Sequence, residues 1–204
     1  ENKLVGNITI AASKTISNYI MPNIYFDFLT KYKDVKLDIL TINSSKIIDK
    51  ILKSEIDIGL IEINTQNSSL IKEKLCDDEL IVVTSDKNYK KEAFIDAIKK
   101  RWILREIGSG TREIFINYIG DISKELDIFM QLQDFEEIKT IVLNNPDTVT
   151  TLSKVIVKKE LEENKLFQIK LKNINLKREF YLIYHKDKSK NILFKTLIEF
   201  LKIR

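Results

Sequence analysis

The chain has 204 residues, of which 44% are hydrophobic and 9% aromatic; it can bury one generous core or two modest ones, and its composition excludes a disordered segment. Its 34 basic and 30 acidic residues leave a formal charge of +4, with lysines and acids alternating along the chain, which argues against a fragment that grips nucleic acid by itself. A single cysteine, Cys76, excludes an internal disulfide framework and fits a reducing compartment, and no apolar run reaches the ~18 residues of a membrane span.

In chain order, residues 4–11 (LVGNITIA) predict a strand, followed by the polar turn Ser13-Lys14-Thr15. Residues 16–32 carry Ile20, Ile24, Phe28 and Leu29 at helical spacing, with Pro22 tolerated if it lies in the first turn of the main helix. A strand over 35–42 precedes a cap supplied by Asn43 to Ser45, a helix over 46–53 and a buried strand over 56–63. After a polar link come a strand over 79–85, an amphipathic helix over 90–101 and a strand over 102–106. A turn at 108–111 leads into a helix over 112–119, then a strand over 128–133, a helix over 136–143 and a short strand over 148–152. A helix over 154–163, strands over 166–171 and 179–185, and a closing helix over 192–203 complete the series. Strands alternating with helices predict an α/β fold with mostly parallel sheets.

One arrangement occurs twice. A strand ends in a Ser/Thr turn that opens a helix at AASKTIS (11–17) and again at REIGSGTRE (105–113), which suggests two similarly built lobes. Such a turn exposes backbone N–H groups at the positive end of a helix, a combination suited to carboxylate, sulfate or phosphate. Ser13, Lys14, Thr15 and Ser17 form the first candidate anion turn, and Ser109, Gly110 and Thr111 the second. Arg112 stands in the first helical turn, where a cation opposes the dipole unless an anion is present, and Arg105 closes the preceding strand, placed for a charge-assisted contact. Glu62, near the end of a buried strand, would receive a ligand amino group or pair with a local lysine, and Ser153 ends the 148–152 strand facing the same crevice. The plainer reading makes each turn a helix cap.

Other conspicuous residues point to structure. His185 is the sole histidine, so no second imidazole completes a metal site; Cys76 lacks a neighbouring histidine; Trp102 starts an apolar strand and reads as core; Asp77-Asp78-Glu79 reads as a solvated turn. No nucleophile-elbow, P-loop or zinc spacing occurs, so neither an enzyme nor a cofactor is expected.

Together, GNITIAASKTISNYIMP (6–22), EIDIGLIE (55–62), DELIVVTSDK (78–87) and WILREIGSGTREIF (102–115) resemble the effector-binding domain of LysR-type transcriptional regulators over nearly the whole chain. The last segment is nearest to the branch related to regulators of cysteine and sulfur metabolism. The resemblance implies the type II periplasmic-binding-protein fold, two Rossmann-like lobes joined by two crossover strands at 80–85 and 179–185. Lobe I would comprise 1–80 plus 179–204 and lobe II 81–178, with the inducer in the cleft between Ser13 to Ser17 and Glu62 on one side and Ser109 to Arg112 on the other. It further implies a winged helix-turn-helix upstream, so that DNA is contacted only through that part, a cytoplasmic homodimer or tetramer, and a small anionic metabolite (sulfate, carboxylate or amino-acid-like) as effector. The chain departs from the family at Asn144-Asn145-Pro146-Asp147, which replaces a glycine-rich turn; Pro146 fixes its own φ there, and Asn can still adopt left-handed backbone. The rival reading on the same fold is a transporter's solute-binding protein for a small anion or amino acid.

Overall fold

The computed structural model describes residues 4–89, 94–171, 174, 176–188 and 191–202. The chain divides into two compact units, Glu1–Asp77 with Glu179–Arg204, and Asp78–Arg178. Two strands, β4 (Leu70–Thr84) and β9 (Lys177–His185), carry the chain across that division.

In the first unit, β1 (Gly6–Ala12) lies between β2 (Val35–Thr41) and β3 (Ile58–Ile61), parallel to both, and β3 pairs antiparallel with β9. Side chains alternate across a strand, so each face of the sheet collects its own core. Ile8, Ile10 and Ala12 of β1 and Phe180, Leu182 and Tyr184 of β9 meet α1 (Pro22–Lys31) and α7 (Ile192–Lys202). Ala11 and Ile183 face the other way, onto Ile47 and Ile51 of α2 (Ser44–Leu52). Asn43 caps α2 as its sequence suggests, its side chain accepting from the Lys46 amide at 3.0 Å. Asn43→Ala is expected to cost about 1 kcal/mol, seen as a lower urea midpoint with an unchanged slope.

The helix anticipated over 16–32 is two pieces. Ile16–Ile20 is a π-helical turn in which the Met21 amide donates to the Ile16 carbonyl at 3.0 Å, and α1 restarts with Pro22 in its first turn. Proline has no N–H to donate to the preceding turn, so the ladder takes up one extra residue before it.

In the second unit, β5 (Arg101–Arg105) runs parallel to β6 (Asp127–Leu132) and β7 (Thr148–Ser153), and β4 pairs antiparallel with β7 and β8 (Phe167–Ile169). Trp102 and Leu104 point to the face covered by α4 (Gly110–Ile119), with Phe115 and Ile119 of that helix. Ile103 points to the opposite face, where α5 (Phe135–Asn144) and α6 (Lys154–Glu162) supply Phe135, Ile138, Val142, Ile156 and Val157.

Several expectations need correction. Helix 90–101 is present as α3 (Phe94–Ile98), residues 90–93 lie outside the described residues, and Arg101 belongs to β5. The helix placed at 112–119 begins at Gly110, so Gly110 and Thr111 stand in its first turn. The polar link before 79 is strand: β4 is 15 residues long and includes Asp77, Asp78 and Glu79, so these three are not a solvated turn. At 144–147, Asn145 is extended (φ −135°), not left-handed. A turn through Pro146 and Asp147 is closed by the Thr148 amide donating to the Asn145 carbonyl at 3.0 Å, and Lys100 donates to the Pro146 carbonyl at 2.7 Å. No helix among the described residues is long and apolar enough to cross a membrane.

Candidate functional site

The first turn leaves β1 at Ala12. The Ser13 amide donates to the Leu60 carbonyl at 3.0 Å, and its carbonyl accepts from the Ser17 amide at 2.8 Å, which starts the helical path. Ser13 is buried and its hydroxyl donates to Glu62 Oε1 at 2.6 Å. That proton is committed, so Ser13 Oγ faces any further partner as an acceptor. Glu62 is buried as well, and its own amide donates to the hydroxyl of Ser44, the first residue of α2, at 3.2 Å. Ser17 is spoken for by Thr41, 2.8 Å between hydroxyls, at a more exposed position. Lys14 is half-buried at the head of the turn. Thr15 differs from its neighbours: it is fully buried, yet its hydroxyl has no hydrogen-bond partner among the described residues.

The second turn repeats the theme in the other unit. β5 ends at Arg105, the chain reverses through Gly108 (φ 87°), and Ser109 (φ −74°, ψ 125°) takes the cap position of α4. A cap serine ordinarily accepts from an amide of the first helical turn. Ser109 does not: it is 2% exposed, its Oγ has no partner among the described residues, and no side-chain cap bond forms. A buried hydroxyl left this way costs free energy of about 1–3 kcal/mol, and natural proteins seldom carry that cost without a purpose. The amides of Gly110 and Thr111 lie in the same first turn, ahead of the helix's own i to i−4 ladder.

The two arginines of this segment have other engagements. Arg105 is 4% exposed and forks onto the adjacent Glu106, with Nε to Oε2 at 2.9 Å and Nη2 to Oε1 at 3.2 Å. Arg112 donates through Nη1 to the Arg105 carbonyl at 3.0 Å and to Gln131 Oε1 at 2.7 Å, and lines a hollow of about 300 Å³ with Ile107, Gly108 and Glu113. Both arginines brace the turn.

Ser153 ends β7 fully buried and donates to Asp78 Oδ1 at 2.6 Å. The other oxygen of Asp78 accepts from Arg178 Nε at 2.6 Å, and Arg178 Nη1 donates to Thr111 Oγ1 at 3.2 Å. A buried polar chain thus runs from Ser153 through Asp78 and Arg178 to the first turn of α4. Asp78 and Arg178 are the residues that reading the sequence missed, since the pair is 100 positions apart and nothing local marks it. Among the described residues no group of His, Cys, Asp and Glu is placed to hold a metal ion.

All 204 residues match the family described as LysR substrate binding domain. The chain is 26% identical over 183 residues to the HTH-type transcriptional regulator CysL of Bacillus subtilis, covering 88% of this chain and 61% of that one. It therefore spans about three fifths of that relative's length. Among solved structures it is similar to the effector-binding domain of QuiR in complex with shikimate, with a TM-score of 0.82 at 16% identity over 98% of this chain and 96% of that one. It is also similar to the regulatory domain of CcmR from Synechocystis in complex with 2-PG, with a TM-score of 0.81 at 20% identity over 97% and 96%. The anticipated fold class is confirmed, and with the match running from end to end the chain belongs to the LysR substrate-binding domain family.

Proposed function

We propose that this chain is the ligand-sensing part of a cytoplasmic LysR-family transcriptional regulator, that its effector is a small anionic metabolite, and that the Ser/Thr turn of each unit, taken by itself, is an anion-contacting element. The observation that carries the reading is the pair of buried, unpartnered hydroxyls, Thr15 Oγ1 and Ser109 Oγ, each at a strand-to-helix turn in its own unit. Buried hydroxyls beside helix-start amides complement carboxylate or phosphate oxygens. The complexes of similar regulatory domains with shikimate and 2-phosphoglycolate, both anionic, support the same class of ligand. Ser13, Lys14, Ser17, Glu62, Gly110 and Thr111 belong to the proposed contact set, while Arg105, Arg112 and Ser153 act behind it by the bonds described above. The buried Ser13–Glu62 pair adds an acceptor side suited to a ligand hydroxyl or amino group.

In this reading DNA is bound by a helix-turn-helix segment beyond these residues, as the designation of CysL indicates for that relative. The assembly is a homodimer or tetramer, and no reaction is catalysed. The effector acts only through the difference in its affinity for the regulator's alternative arrangements. Calorimetry of the 204-residue chain with 2-phosphoglycolate, shikimate, phosphate and sulfate tests the site. Thr15→Ala and Ser109→Ala are each expected to weaken the best of these by about 10-fold or more, the loss typical of one hydrogen bond to a charged group. Unaltered affinity in both variants, or no binding of any probe to the wild type, would remove the basis for the proposal.

A further inference from the structure

Resting on the anion-binding reading above, we propose that Arg178, held by Asp78, is the cation that selects charged effectors at the start of α4. The two arginines nearest in sequence are committed elsewhere, Arg105 to Glu106 and Arg112 to the Arg105 carbonyl and Gln131. Arg178 reaches the helix start from a different strand. Its side chain is 2% exposed, and its Nη1 lies 3.2 Å from the hydroxyl of Thr111, two residues past the unpartnered hydroxyl of Ser109. Helix start, cap hydroxyl and guanidinium therefore converge on one end of α4.

The surroundings of Asp78 tune how much of the positive charge is left for a ligand. One carboxylate oxygen holds Arg178 at 2.6 Å and the other accepts from Ser153 at 2.6 Å. A hydrogen bond to Oδ1 draws negative charge away from Oδ2, so Ser153 moderates the ion pair while fixing the carboxylate's orientation. The guanidinium's rigid fork keeps the Thr111 contact in place. Two roles follow for the pair: Arg178 supplies attraction, and Asp78 sets its position and strength.

The sign of one substitution separates this role from simple bracing. Asp78→Asn keeps the shape and an acceptor for Arg178 but removes the counter-charge, so an incoming anion meets a less neutralised guanidinium. Calorimetry with 2-phosphoglycolate and with sulfate is expected to show about 3- to 10-fold tighter binding in Asp78→Asn and at least about 30-fold weaker binding in Arg178→Gln, with Arg178→Lys in between. Because Arg178→Gln leaves a buried carboxylate without its cation and risks unfolding, Asp78→Asn/Arg178→Gln removes both charges together. It is expected to melt cooperatively and to bind as weakly as the single Gln variant. Weaker or equal binding in Asp78→Asn overturns the proposal and makes the pair a brace. If Ser109→Ala loses affinity while the double variant binds like wild type, this inference falls and the anion site stands. If the wild type binds neither probe, both fall.

Discussion

Gly59→Val is expected to lower the stability of the first unit by about 3 kcal/mol or more. A Cβ placed on Gly59 would lie 2.5 Å from Ile47 Cγ2 and 2.9 Å from Ile183 Cγ1. Ile47 sits fully buried on α2, and Ile183 on β9 is the direct partner of Gly59 across the antiparallel pair. The missing side chain is what lets α2 settle so close to β3. Neither neighbour can retreat without disturbing a packed interior, and overpacking of this sort costs about 1–3 kcal/mol per inserted group, more for a branched one. Gly59→Ala should fall short of Val, at about 2 kcal/mol. Ile47→Ala opens space at that point, so Gly59→Ala/Ile47→Ala should be more stable than the two single losses predict when summed. Urea unfolding followed by circular dichroism measures all three; additivity, or a harmless Gly59→Ala, would show that the contact is not limiting.

Trp102→Ala should be the most damaging truncation in the second unit, about 3–5 kcal/mol. The indole is completely buried, stacks on Phe115 with ring centroids 5.1 Å apart, and donates its N–H to the Ala97 carbonyl at 3.0 Å. Alanine here removes the ring that joins β5 to α4, the helix whose first turn carries Ser109. Trp102→Phe keeps much of the area but leaves the Ala97 carbonyl without that donor, so its loss should be intermediate, about 1–2 kcal/mol. Trp102 is the single tryptophan. Circular dichroism must therefore follow the variants, whereas wild-type fluorescence reports the second unit. A loss under about 1 kcal/mol for Trp102→Ala would mean that the surrounding core closes over the gap.

How much of this is legible in the sequence depends on the range of the interaction. The α2 cap at Asn43, the place of Pro22 in the first turn of its helix and the two Ser/Thr turns follow from neighbours a few positions apart, and all are found, whereas the break before Pro22 is not read from the sequence. Strand β4 reads too short in the sequence because its first half hides the usual pattern. Leu70 and Leu75 serve opposite faces, while the residues between them are largely exposed and held by polar contacts such as Tyr184 to Glu73 at 3.0 Å and Lys74 to Glu179 at 2.8 Å. Arg105 reads as placed for a charge-assisted contact because it closes its strand, and the structure gives it one with the adjacent Glu106. Ser153 does stand at the end of its strand, but its partner lies 75 positions away. The unpaired state of Thr15 and Ser109 is a property of packing, and no spacing rule announces it.

The order of the pieces along the chain has a consequence for biosynthesis. Residues Asp78–Arg178 form an uninterrupted unit, whereas the other unit needs Leu193, Phe194, Leu197, Ile198 and Leu201 from the last helix to fill its interior. During translation the inserted unit can close while the flanking one still waits on the ribosome for its final segment. A stop codon before Ile192 would accordingly leave a nascent product with one half mature and the other half prey to proteolysis.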